Sequence, residues 1–188
     1  MKINRSPVSG DINQTVSGDW VYQLPALTNF NSALRQVLGG WQFSGILRAQ
    51  TGAAFDITQL SPGGPTSRPD ILDIKHMYLD DYRTTGQYLN VAAFAKVPVG
   101  AVSKVPIRPG NAAFMVGRGP GLWNVDFAVG KSFAVRENVR FETRVDMFNA
   151  PNHTNFGNPT ASIDSPNFGR ITTTRGARTI QIHGRLSF

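Results

Sequence analysis

From Trp123 to Val135 the chain alternates. Trp123, Val125, Phe127, Val129, Phe133 and Val135 are apolar and share one parity, while Asn124, Asp126, Ala128, Gly130 and Ser132 fill the positions between. An extended strand sends successive side chains to opposite faces, so this pattern puts one face in an apolar medium and the other in a polar one. A helix, with a period of about 3.6, has no use for it. Lys131 is the one charge on the apolar side, close to the end of the run. After Arg136-Glu137-Asn138 the alternation restarts. Val139, Phe141, Thr143, Val145 and Met147 fall on one face, and Arg140, Glu142, Arg144 and Asp146 on the other. So short a polar break between alternating runs predicts a β-hairpin. The charges alternate in sign, so neighbours two apart pair rather than repel.

Three more runs fit the template. Val16, Gly18, Trp20, Tyr22 and Leu24 form an apolar face that stops at Pro25. Trp41, Phe43, Leu47, Ala49, Phe55 and Ile57 form another, opposite Gln42, Ser44, Arg48, Gln50 and Asp56. Between them Asn31 is placed to cap a short helix whose Leu34, Val37 and Leu38 share a face, with Gly39-Gly40 ending it. The last run sets Ile180, Ile182, Gly184, Leu186 and Phe188 against Thr179, Gln181, His183, Arg185 and Ser187. It ends on an aromatic in mid-strand, where most soluble chains fray.

Composition closes off other classes. No stretch approaches the roughly 18 apolar residues of a spanning helix. With no Cys there is no disulfide scaffold, thiolate metal site or thiol nucleophile. The net charge of +7 comes from cations scattered singly, so the basic stripe needed for nucleic acid is missing and no nucleic-acid partner is expected.

The connections alternate between short and long. Segments 25–40 and 136–138 are short or moderate; the chain between Ile57 and Trp123, and between Met147 and Ile180, is long and reads as structureless loop. Tight turns at one end and long loops at the other are the outer-membrane barrel arrangement. Parity agrees: if the last strand descends to the periplasm, 138–149 ascends, 122–135 descends, 41–57 ascends and 14–25 descends, leaving both long loops outside the cell. A soluble antiparallel sandwich, binding carbohydrate or protein, shows the same alternation and is the rival reading. Two features favour the membrane. Trp20, Tyr22, Trp41, Phe55, Trp123, Phe133 and Phe188 lie near strand ends, as an interfacial girdle requires, and the apolar faces are almost free of charge. The expected fold is therefore all-β: an antiparallel up-and-down transmembrane β-barrel, of which about five carboxyl-terminal strands are present.

Several blocks also resemble a known family. Gly117-Arg118-Gly119-Pro120-Gly121-Leu122-Trp123-Asn124-Val125-Asp126-Phe127, followed by Lys131-Ser132-Phe133, is similar to the late strands of TonB-dependent outer-membrane receptors. Phe148-Asn149-Ala150-Pro151-Asn152-His153-Thr154-Asn155-Phe156-Gly157-Asn158-Pro159 resembles a block of the Oar-like group, which carries a carboxypeptidase-regulatory-like amino-terminal domain. Val37 to Ile46, Gln50 to Phe55, Arg68-Pro69-Asp70, Asn90 to Phe94 and Phe168 to Thr172 match in the same order, as do Arg178, Gln181 and Phe188. The resemblance implies the last strands of a barrel of roughly 22, without its plug, TonB-contacting segment or earlier strands. Met1 to Pro7 contains no apolar signal core, which agrees with the tail of a longer chain. The implied partners are outer-membrane lipid, the barrel-insertion machinery, TonB through the missing plug, and an extracellular ligand of unknown identity. A final aromatic with alternating apolar positions implies an assembly signal, here Ile180, Ile182, Leu186 and Phe188.

Little in the chain suggests catalysis. His76, His153 and His183 are far apart in sequence, and Asp80-Asp81 has no acidic repeat to complete a Ca²⁺ site. Gly117 to Gly121 contains Pro and precedes a strand, unlike a phosphate loop. No serine sits in a nucleophile elbow, so neither an enzyme nor a cofactor is expected. Arg140, Glu142, Arg144 and Asp146 repeat every second residue and read as a ladder lining a wet lumen. By residue type, Arg68, Tyr78, Tyr82, Tyr88 and Arg118 are the candidate ligand contacts within segments 59–121 and 150–177.

Overall fold

The computed structural model describes residues 7–25, 29, 31–62, 66–136 and 138–188. Its main element is a five-stranded sheet of β1 (Thr15–Gln23), β2 (Trp41–Gln50), β3 (Leu122–Arg136), β4 (Val139–Phe148) and β5 (Thr179–Ser187). Spatial order follows chain order, and β1–β2, β3–β4 and β4–β5 are antiparallel. This is the up-and-down meander that the alternation predicts. It is an open sheet, with β1 and β5 as edges among the described residues, and not a closed barrel.

Register makes each strand's alternation a property of the whole sheet. Phe127 faces Met147 and Met147 faces Ile180; Val129, Val145 and Ile182 form the next row, and Phe133, Phe141 and Leu186 another. Directly opposed apolar pairs on one face each stabilise a sheet by roughly 0.2–1 kcal/mol. The same face continues into β1 and β2, where Trp20 and Phe43 lie 5.8 and 6.3 Å from the Phe127 ring. Trp20 pairs with Gly45 and lays its indole over it; a Cβ at Gly45 would sit 2.7 Å from that ring. A one-residue slip would send every one of these rows to the other face, so the pattern itself holds the register.

The β3–β4 hairpin is tighter than the three-residue break in the sequence. Arg136 pairs with Val139, and the register shifts between Ala134 and Arg136 in a bulge. At this same end of the sheet, β1 and β2 are joined through helix α1 (Ser32–Leu38). The Asn31 side chain accepts from the Leu34 N–H at 2.9 Å, and the Gly39 N–H closes the last turn on the Arg35 carbonyl at 3.0 Å. The cap and the stop are those the sequence announces.

Two expectations need correction. The alternation predicts a second strand running to Ile57, with Phe55 in the aromatic girdle, but β2 ends at Gln50. Gly52 comes against Gly119 so closely that a Cβ would overlap the Gly119 carbonyl, and the chain turns there out of the sheet. Phe55 and Ile57 are buried elsewhere. The long connections are likewise not structureless. Thr51–Leu122 and Phe156–Arg175, with the segment ending at Gln14, form a second compact unit. Its core is Phe55, Ile57, Met77, Leu89, Ala93, Phe94 and Phe168. Burying a side chain such as Ile57 or Leu89 contributes about 1.5–3 kcal/mol.

Side chains stand in for strands in this unit. The Gln59 amide donates to the Val97 carbonyl and accepts from the Val97 N–H, both at 2.8 Å. Asp164 accepts from the Leu60 N–H at 2.6 Å and pairs with Lys96 at 2.8 Å. Two-residue strands, Ala54–Phe55 with Gly117–Arg118 and Asp70–Ile71 with Phe94–Ala95, add main-chain pairing. The chain passes between sheet and loop unit beside Thr15, Gln50, Leu122, Asn155 and Arg175. Within the sheet, Thr15 pairs with Gln50 and Phe148 with Thr179 at the end of the strands opposite the β3–β4 turn.

Candidate functional site

The polar face of the sheet carries a ladder of charged side chains. Its rows are Ala128/Asp146/Gln181, Gly130/Arg144/His183, Ser132/Glu142/Arg185 and Ala134/Arg140/Ser187. Arg140, Glu142, Arg144 and Asp146, singled out from the sequence, do lie on one face, and β5 adds His183 and Arg185 beside them. Arg144 Nε donates to Asp146 Oδ1 at 2.7 Å, the pairing two residues apart that alternating charge allows. The second oxygen of Asp146 lies 3.2 Å from His183 Nε2.

Small residues shape this face. Ala128, Gly130, Ser132 and Ala134 are what β3 presents to the long side chains of β4, and Ser44 follows on β2. The space they leave becomes two cavities. One, of about 410 Å³, is lined by Gln42, Ser44, Gly130, Ser132, Glu142 and Arg144. The other, of about 400 Å³, is lined by Asp19, Ile46, Asp126, Ala128 and Asp146 among others. The charged ladder is legible in the sequence and the cavities are not, although the run of small residues at even positions of β3 is their signal.

At the loop end of β3, asparagines take over from the ladder. Asn149, 3% exposed and at φ 49°, donates to the His153 and Gly176 carbonyls at 2.8 and 2.6 Å and accepts from the His153 N–H at 3.0 Å. Its own N–H goes to Asp126 Oδ1 at 2.9 Å, an oxygen that also accepts from the Asn124 amide at 2.6 Å. His153 stacks on Trp123 with ring centroids 4.2 Å apart. The Asn-His block is thus a built turn, as its composition suggests.

In the loop unit, four of the five residues proposed as ligand contacts come together. Tyr88 lies 5.2 Å from Tyr78 and 5.0 Å from Tyr82, ring to ring. The Tyr78 hydroxyl accepts from the Arg118 N–H at 2.9 Å, and the Tyr88 hydroxyl donates to the Arg118 carbonyl at 3.0 Å. Burial pushes both phenols above their ordinary range, Tyr88 the further. The Arg118 guanidinium reaches back to the Asp11 carbonyl at 2.8 Å. The two hydroxyls are therefore committed to holding Arg118, and what this cluster offers a ligand is ring surface.

Arg68 stands apart from that cluster. Its guanidinium lies 5.8 Å from the centre of the Phe114 ring, beside a cavity of about 380 Å³ that Arg108 also lines. Arg108 is held by Asp70 through two bonds of 2.9 and 2.6 Å, and this pairing keeps the Asp70 carboxyl below its ordinary range.

The remaining motifs resolve into structure. His76 is paired with Asp73 at 2.6 Å, and the three histidines stay in separate surroundings. Among the described residues no group of three or more His, Cys, Asp or Glu is placed to hold a metal. The Asp81 carbonyl accepts from Thr84 and Thr85 in a short turn of helix. In the glycine run, Gly117 lies beneath the Phe55 ring and Gly119 against Asn158, so packing accounts for both. Ile180, Ile182 and Leu186, expected from the sequence to form an assembly signal, are exposed on the apolar face of β5, and Phe188 follows its end, 96% exposed.

Comparison with protein families matches residues 1–181 to the model of an outer membrane beta barrel domain. Neither the curated proteins nor the solved structures compared contain a match.

Proposed function

The chain belongs to the outer membrane beta barrel domain family and resides in the bacterial outer membrane, and on that premise we propose that it is a wall segment of a TonB-dependent receptor of the Oar-like group. In this reading the apolar face meets lipid, the charged face lines a wet lumen, and the loop unit stands outside the cell. The observation that carries it is the register. On β3, β4 and β5 it gathers Phe127/Met147/Ile180, Val129/Val145/Ile182 and Phe133/Phe141/Leu186 on one face and the charges of β4 and β5 on the other, with Lys131 the lone charge on the apolar face. A soluble sandwich would need a second layer over the apolar face, yet Ile182 is 77% exposed there.

The division of labour follows from the chemistry. Side chains such as Arg144, Asp146 and His183 tolerate a water-filled interior and offer a passing polar ligand weak, exchangeable contacts, while the small residues of β3 leave room for it. Ligand capture is assigned to the loop unit, with Arg68 at its own cavity and the Tyr78, Tyr82, Tyr88 and Arg118 cluster as candidate surfaces. Entry depends on TonB acting on a plug, and insertion depends on the assembly machinery reading β5 and Phe188. No catalytic step or cofactor is part of the proposal.

Uptake of the receptor's ligand by cells with and without TonB tests the transport reading, and equal uptake in both would reject it. The face assignment is tested separately in outer-membrane vesicles. Cysteines at Ser132 and Arg144 should react with a water-soluble maleimide, while those at Val129 and Val145 should be protected. Equal labelling of both sets would mean that the faces are not divided between lumen and lipid.

A further inference from the structure

We propose that helix α1 is a membrane-interface anchor. It lies on the lipid side of the sheet at its short-turn end, with Leu34, Val37 and Leu38 set into the boundary between headgroups and acyl chains of the phospholipid leaflet. The inference rests on the lipid-facing assignment of the apolar sheet face, and its test separates the two.

The tether places the helix. Lys131 belongs to the apolar face, in a row with Thr143 and Gly184. Its Nζ donates to the Val37 carbonyl at 2.6 Å and to the Gly39 carbonyl at 2.8 Å. A side chain leaving that face reaches the last helical turn only if the turn lies over the same face. Trp41, on the same face of β2, donates to the Val37 carbonyl at 3.0 Å, and Gln36 reaches the Ala134 carbonyl at 3.4 Å. A lysine aimed at lipid is costly, and the last carbonyls of a helix lack partners within it. Here each satisfies the other, and Lys131 is 4% exposed.

What the tether leaves uncovered is apolar. Leu34, Val37 and Leu38 follow the i, i+3, i+4 spacing of one helical face and are 44%, 62% and 46% exposed. Their surroundings suit a membrane boundary. The Trp41 and Phe133 rings lie 4.7 and 5.2 Å from the Lys131 ammonium, an aromatic pair of the kind that gathers at headgroup level. Arg35, exposed on the same helix, offers a cation to lipid phosphate. The patch continues the sheet face of Trp20, Phe43 and Phe127, so one bilayer covers both. A seven-residue helix is too short to persist on its own; cap and tether hold it where its apolar side meets the lipid.

The test uses the full-length receptor in phospholipid vesicles. These 188 residues contain no cysteine, so one can be placed at Val37, Val125 or Val102 and labelled with an environment-sensitive fluorophore. A probe at Val37 should emit to the blue of one at Val102, which is 96% exposed. It should be quenched more by a nitroxide near the headgroups than by one deep in the acyl chains, as a depth of about 5–10 Å requires. Lys131→Met should shift the Val37 probe toward water while Val125 stays lipid-quenched. Quenching of Val37 by aqueous iodide as strong as at Val102, with Val125 still quenched by the deep nitroxide, would overturn the anchor alone. Escape of Val125 from both nitroxides would overturn the lipid-facing assignment and the anchor together.

Discussion

The side-chain amide of Asn155 pairs with the backbone of Trp123 as a neighbouring strand would: it accepts from the Trp123 N–H and donates to the Trp123 carbonyl, both at 3.0 Å. Asn155 is 5% exposed, so these bonds are shielded from water. Asn155→Ala should destabilise the assembled protein by about 1–3 kcal/mol, the usual cost of stranding buried polar groups. Asn155→Asp should do no better, because its carboxylate faces the Trp123 carbonyl with no proton to give. Urea unfolding midpoints of the protein in detergent check both, and an Asp variant matching wild type would refute the two-bond account.

The register predicts an asymmetry between faces. Arg at Val145, in a row with Val129 and Ile182, should cost about 2–4 kcal/mol near the bilayer midplane and reduce inserted protein. Arg at Ser132, opposite Glu142 on the charged face, should insert nearly as well as wild type. Outer-membrane yield and heat-modifiable gel mobility measure the difference, and equal loss from both substitutions would contradict it.

Removing Phe188 should lower the amount of assembled barrel without altering synthesis. The residue is 96% exposed and follows the end of β5, so its loss takes away almost no packing within the chain. A fall in membrane yield would then report on recognition by the insertion machinery. Unchanged yield would remove Phe188 from the assembly signal.

Tyr88 makes the loop unit sensitive to alkali. Burial, followed by the neighbouring Tyr78 and Tyr82, raises its phenol above the ordinary value near 10. The folded state therefore holds this proton more tightly than the unfolded chain. The stabilisation is complete below pH 10 and is lost as the pH climbs toward the folded value. Amide-exchange protection of Leu89 and its neighbours should fall above about pH 10. Tyr88→Phe, combined with Tyr78→Phe, should flatten that fall while lowering protection at neutral pH through the lost Arg118 bonds. An identical alkaline profile in the double variant would exclude these phenols as its source.

Residues 1–188 on their own should neither conduct nor transport. The five long strands among the described residues are fewer than the roughly eight of the smallest single-chain bacterial barrels, and among these residues β1 and β5 are the edges of an open sheet. Val16, Ile182 and Leu186 are each more than half exposed on its apolar face. Such surface and free edges promote association, so this chain should aggregate or require detergent while its circular dichroism remains that of β-structure. A sharp monomeric peak in plain buffer with cooperative unfolding would count against the outer-membrane sheet.

Period and punctuation in the sequence determined the strands of the hairpin and their faces by themselves. Val125 to Val135 and Val139 to Met147 alternate without a frame change, so their strands, faces and hairpin follow from the geometry of an extended chain. Asn31 and Gly39 likewise mark a helix by local hydrogen bonding alone. The loop unit was hidden because its order comes from contacts distant in the chain. Phe55 and Ile57 keep the parity of β2 and look like its continuation, yet Gly52 lies against Gly119 and the two side chains pack into a different core. In the sequence Lys131 is an exception to the apolar pattern near a strand end, and the tertiary fold brings the carbonyls of Val37 and Gly39 to it. Local periodicity is written into each strand, whereas partners many tens of residues apart are chosen by packing, which no short window of sequence contains.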